Sequence, residues 1–126
     1  MKTAQVPTRE LVDDALDWAV IESAQNLVNQ KAINYQNIYK ALEEIAKNAV
    51  CSPSSDWAQG GLLIESCFIN IEHSVSGWGS LFFIAWPSFE PKPVKKQGDK
   101  PLVAAMRALV QLVYGDTAEI PEELVK

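Results

Sequence analysis

Histidine is almost absent from this chain: His73 is the only one in 126 residues. A convincing metal site cannot be built around it, and a Ser-His-acid triad or a Cys-His pair would have no other imidazole base. His73 alternates with Ile71 and Val75 at a spacing of two, which predicts a packed strand histidine. Cysteine is scarce too. Cys51 and Cys67 lack Cys-x-x-Cys spacing and read as buried free thiols rather than a disulfide. Cys67 and His73 could share a strand face, but six extended residues would hold them roughly 20 Å apart. Base is in deficit, with 11 Lys and Arg against 16 Asp and Glu and a net charge of −5, so a nucleic-acid partner is not expected. The one basic cluster, Lys92, Lys95 and Lys96, reads as a solvated loop beside Pro91 and Pro93. Long apolar runs are missing. The longest, Leu81 to Trp86, is too short to span a bilayer, and the first residues hold no apolar signal-peptide region. The expectation is a cytoplasmic protein without a membrane partner. No glycine-rich phosphate loop, internal repeat or low-complexity segment is found.

What the chain does have is core material: apolar residues are 48% of the total, enough for one domain of this length. Thr8 reads as the N-cap of a first helix, with Leu11, Val12, Ala15, Leu16, Ala19 and Val20 at helical spacing. Asp13, Asp14, Asp17 and Glu22 are assigned to its wet face, and Trp18 to the edge of the core or a pocket wall. A polar turn is expected within Asn26 to Asn37. Asn34 is then the candidate cap of a second helix carrying Ile38, Leu42, Ile45 and Ala49, with a Glu43–Lys47 pair. Leu62 to Ile64 reads as a short strand. The run from Phe68 to Val75 and the run Leu81 to Trp86 read as a hairpin across Gly77-Trp78-Gly79, ended by Pro87. A last helix starts near Asp99 and Pro101, carries Leu102, Val103, Met106, Leu109, Val110 and Val113, and stops at Gly115. The tail around Ile120 either docks or frays. The fold class is therefore α+β, with helices packed on a small antiparallel sheet in a single domain.

One segment stands out as chemistry-bearing. Ser52-Pro53-Ser54-Ser55-Asp56-Trp57-Ala58-Gln59-Gly60-Gly61 has no periodicity and concentrates serines, an acid, an amide and a tryptophan. As a loop it could line a pocket, with Trp57 stacking on a planar ligand, Asp56 and Gln59 bonding its edge, and the glycines allowing close approach. The structural alternative is a capped turn: Ser52 or Ser54 caps a short helix, Asp56 accepts first-turn amides and Trp57 plugs the core.

Three strings resemble the NinX family of phage and prophage proteins. They are Leu11 to Val20, centred on Ala15-Leu16-Asp17-Trp18-Ala19-Val20; Ser52 through Ile64; and Pro101-Leu102-Val103-Ala104-Ala105-Met106-Arg107, continuing to Gly115-Asp116 and Pro121-Glu122-Glu123-Leu124. The chain departs from the pattern between Gln25 and Val50, at Leu62 where proline is expected, and from Phe68 to Gly98. The resemblance implies a phage or prophage origin and a small accessory role. It brings no catalytic residue, no cofactor and no metal. It does give weight to Asp17, Trp18, Ser52, Ser54, Asp56, Trp57, Gln59 and Arg107 as ligand-binding residues.

Three functions compete at this point. The leading one is a non-enzymatic binder of a small polar or nucleotide-like molecule, with a counter-defence role, whose pocket joins the serine-rich loop to Trp18 and Arg107. The second is a protein-interaction module anchored by Trp78, Trp86 and Phe89. The third is a small hydrolase with Asp56 as base. Self-association is left open.

Overall fold

The computed structural model describes residues 2–32, 34–75, 81–88, 96–98 and 100–125, without the side chains of residues 74, 75 and 81. Among the described residues, five strands and four helices follow one another as β1 (Thr3–Pro7), α1 (Asp13–Asn29), α2 (Tyr35–Ala46), α3 (Trp57–Ser66), β2 (Ile69–Val75), β3 (Leu81–Pro87), β4 (Lys96–Gly98), α4 (Pro101–Tyr114) and β5 (Thr117–Pro121). Short 3-10 turns, Thr8–Glu10 and Glu122–Leu124, follow β1 and β5. The domain is α+β, as expected from strands that are not interleaved with helices.

The hairpin is present. β2 and β3 pair antiparallel from Ile69↔Pro87 to Val75↔Leu81; the Gly77-Trp78-Gly79 turn lies outside the described residues. Its inner face buries Ile69 and Ala85 against α4, which also packs on α1 and on both sheets. Met106, Leu109 and Val110 are fully buried on α4, as their spacing predicts. Gly115 ends that helix at φ 79. The start expected at Asp99 lies outside the described residues, and Pro101 occupies the first turn.

Several expectations are corrected. Leu62 to Ile64 is not a strand but the middle of α3, because Asp56 starts a helix that the glycines do not interrupt. Thr8 does not cap α1. It is buried, and its hydroxyl donates to the Gly115 carbonyl at 2.6 Å, binding the start of the chain to the end of α4. α1 instead begins at Asp13, whose φ is 52. Its helical run also continues to Asn29, into the polar stretch expected to hold a turn. Asn34 does stand at the cap position of α2, but its side chain donates to the Ser66 carbonyl at 2.9 Å rather than capping. The ion pair on α2 is Lys47 with Glu44 at 2.8 Å, not Glu43. Ala49 lies beyond the helix and is exposed. Cys51 and Cys67 are free thiols, but only Cys67 is buried, and burial pushes its thiol up to about 12. Cys67 follows α3 and does not share a strand with His73. His73 is exposed, with its ring edge-on to Phe83 at a centroid distance of 4.9 Å. Lys96 is not a loop lysine: it forms part of β4, mostly covered, with its ammonium 3.8 Å from Asp116. Lys92 and Lys95 lie outside the described residues.

Contrary to expectation, the two ends of the chain carry a small repeat. Thr3-Ala4-Gln5-Val6-Pro7 and Thr117-Ala118-Glu119-Ile120-Pro121 differ at two positions, and both run into a 3-10 turn. They pair antiparallel in a centred register, Thr3↔Pro121 through Gln5↔Glu119 to Pro7↔Thr117. The Ile120 tail therefore docks.

Candidate functional site

The serine-rich segment folds as a stapled entry to α3. The Ser52 carbonyl accepts from Ser55 and Asp56 amides at 3.1 and 2.9 Å, closing a tight turn that carries Pro53. Asp56 is the N-cap: its Oδ1 accepts from the Ala58 amide at 2.9 Å. Gln59 is buried. Its amide donates to the Val50 carbonyl at 3.0 Å and to Asp56 Oδ2 at 3.2 Å, while its Oε1 accepts from the Ser52 amide at 2.7 Å. These residue types answer a simple need: the free amides at a helix start must be matched by side-chain oxygens. Gly60 is required for a related reason. A Cβ there would lie 2.3 Å from the Pro53 carbonyl oxygen and 2.6 Å from Leu102 Cδ2, so the close approach is made by the protein's own backbone.

Asp17 anchors this turn to α1. The side chain assigned to the wet face is in fact buried, with Oδ1 accepting from the Ser54 amide at 2.8 Å. Burial raises its pKa above the ordinary value. Hydrogen bonding from the Ser54 hydroxyl and amide opposes that shift, and Asp14 and Asp13 add to it. Ser54 is buried in turn.

A groove of about 520 Å³ opens over this junction. Val12, Asp13, Asp14 and Asp17 form one wall, Ser52, Ser54, Ser55 and Trp57 a second, and Lys100, Pro101, Leu102 and Val103 a third. The starts of α1, α3 and α4 thus converge. Each brings first-turn amides that have no acceptor within their own helix and the positive end of a helix dipole; Asp56 meets the Ala58 amide of α3, and the carboxylates of Asp13, Asp14 and Asp17 line the groove. Trp57 does not plug the core: it is 56% exposed at the groove wall.

The predicted site residues divide accordingly. Asp17, Ser52, Ser54 and Trp57 meet at the groove, with Asp56 and Gln59 holding its wall. Trp18 lines a neighbouring depression of about 310 Å³ with Asp14, Asp17, Ile21, Glu22, Cys51 and Leu124. Arg107 is placed elsewhere. Its Nε donates to the Leu11 carbonyl at 3.0 Å and its Nη1 to the Gln97 carbonyl at 2.8 Å, joining the lead into α1 to β4. Among the described residues that line the groove the cation is Lys100, to which the sequence gives no role, and Asp13 and Asp14, expected on the wet face of α1, line it as well; all three stand at helix starts, and only the packing of three starts together singles them out. Trp78 and Phe89, two of the anchors for a protein partner, lie outside the described residues, and Trp86 is half-buried.

This arrangement belongs to a class of phage proteins. Residues 8–112 match the family described as Bacteriophage P22, NinX, and the chain belongs to that family. The match takes in every residue of the groove and leaves β1 and β5 outside. No curated protein matches the chain.

Proposed function

We propose that this phage protein is a non-enzymatic accessory binder that takes a small, planar, polar molecule of the nucleobase kind in the Trp57 groove. One observation carries the reading: a tryptophan stands exposed on a wall otherwise fixed by Asp17, Asp56 and Gln59. A flat apolar face held that way costs little further ordering when a ring stacks on it. Among the described residues of the groove, three carboxylates face one lysine, so the ligand's edge must supply hydrogen-bond donors, and a phosphate-rich end is disfavoured near Asp13 and Asp14. In a phage-infected cell, capture of such a molecule would withhold a host defence signal.

Native mass spectrometry of protein isolated from infected cells, wild type beside Trp57→Ala, tests this. The expected result is a small molecule retained by the wild type and lost from the variant, with the melting temperatures of the two ligand-free proteins equal. A wild type that carries nothing, or a variant that retains the molecule equally well, overturns the reading.

A further inference from the structure

The β1–β5 pair is joined to the rest of the domain through an unusual junction. Residues 3–11 lead into α1 across Val12, which is extended and exposed, and Asp13, which sits at φ 52. A left-handed conformation is uncommon for a residue with a Cβ and is held only when the surroundings impose it. Short hinges under strain favour exchange of the segment they carry, because the exchanged form keeps every native contact while releasing the hinge.

The segment's hydrogen-bonding contacts are transferable. β1 pairs with β5; Thr8 bonds the Gly115 carbonyl; buried Leu11 offers its carbonyl to Arg107. All of these partners lie at or beyond Arg107 in sequence, so a second copy presents the same set. Charge selects the pairing. Gln5 faces Glu119 at the centre of the register, whereas two β5 strands in the same register would set Glu119 against Glu119. β5 therefore takes a β1, from its own chain or from another.

We propose that residues 3–11 are an exchangeable segment, and that a second copy of this chain is the partner: two copies swap β1 and its 3-10 turn about a hinge at Val12–Asp13. The hinge residues also form part of the groove wall, so exchange reshapes that wall; the proposal itself does not depend on what the groove binds.

Two hinge variants and one crosslink test it. Glycine accepts the left-handed hinge, so Asp13→Gly should stay monomeric. Proline cannot adopt φ 52 but suits the first position of a helix, so Asp13→Pro should double the molar mass measured by light scattering. Gln5→Cys with Glu119→Cys, in a Cys51→Ser background, places two thiols on directly opposed strand residues, within disulfide reach. The crosslink should lie within one chain for Asp13→Gly and between two chains for Asp13→Pro. Should Asp13→Pro fail to fold, the Cys pair with the natural hinge, refolded at high concentration, must yield an interchain-crosslinked dimer. Intrachain crosslinks alone, in a folded Asp13→Pro or in that refolded material, would overturn the proposal.

Discussion

Asp17 shows how much one buried carboxyl group can decide. Its acceptor role holds the Ser54 amide, so Asp17→Ala should cost about 1–3 kcal/mol by leaving a buried donor unmatched. Asp17→Asn keeps an acceptor and removes the charge. The folded-state pKa of Asp17 is raised, so its contribution to stability is fully present below the ordinary carboxylate pKa and is lost as pH rises through the raised value. The melting temperature of Asp17→Asn, taken relative to wild type, should therefore climb with pH through that window and level off above it. A difference that stays flat with pH would mean that the ionised form carries no penalty. Trp57 is the opposite kind of residue. Being mostly exposed, Trp57→Ala should change stability by no more than about 0.5 kcal/mol in chemical denaturation, so any loss of ligand would be a loss of contact rather than of fold.

Within α3 the energetics are local and can be tested residue by residue. Removing the cap with Asp56→Ala should cost about 0.5–2 kcal/mol. The two adjacent glycines should respond in opposite directions. Gly60→Ala forces a methyl group against the Pro53 carbonyl and Leu102, and overpacking of that kind costs roughly 1–3 kcal/mol. Gly61 has open space around it, so Gly61→Ala should gain about 0.5–1 kcal/mol of helix stability. Urea unfolding of the two variants side by side checks both signs. This element also shows where the sequence was hard to read. The string Ser52 to Gly61 has no helical periodicity, because its polar residues are spent on stapling the helix entry and Gly60 is needed for packing. Of the capping alternative, only the part given to Asp56 was legible from residue type: Ser52 and Ser54 do not cap α3 and Trp57 is exposed; the helix running through Leu62 to Ile64 was not, since a short apolar run fits a strand as well as a buried helix.

For the whole molecule, α4 is the hub, and Met106 is its test. Met106→Ala should cost about 2–5 kcal/mol, because a fully buried side chain leaves a cavity that its neighbours cannot close. Arg107→Ala should cost about 1–3 kcal/mol, because the carbonyl of buried Leu11 and that of Gln97 each lose a donor, and the loss is felt where the lead into α1 and β4 are tied to α4. Local amide exchange would separate the two variants. The sequence by itself determined the fold class, the apolar face of α4, those of α1 and α2 except for Val12 and Ala49, which lie outside the helices and are exposed, the β2–β3 hairpin and the family, since periodicity, turn residues and signature strings are local features of the chain. Tertiary structure alone decided that Asp17 is buried, that Arg107 serves the Leu11 and Gln97 backbone carbonyls rather than lining the groove, that Lys100 enters the groove, and that β1 finds β5 across the whole chain. Each of these depends on which distant backbone groups packing brings near a side chain, and spacing along the sequence carries no record of that.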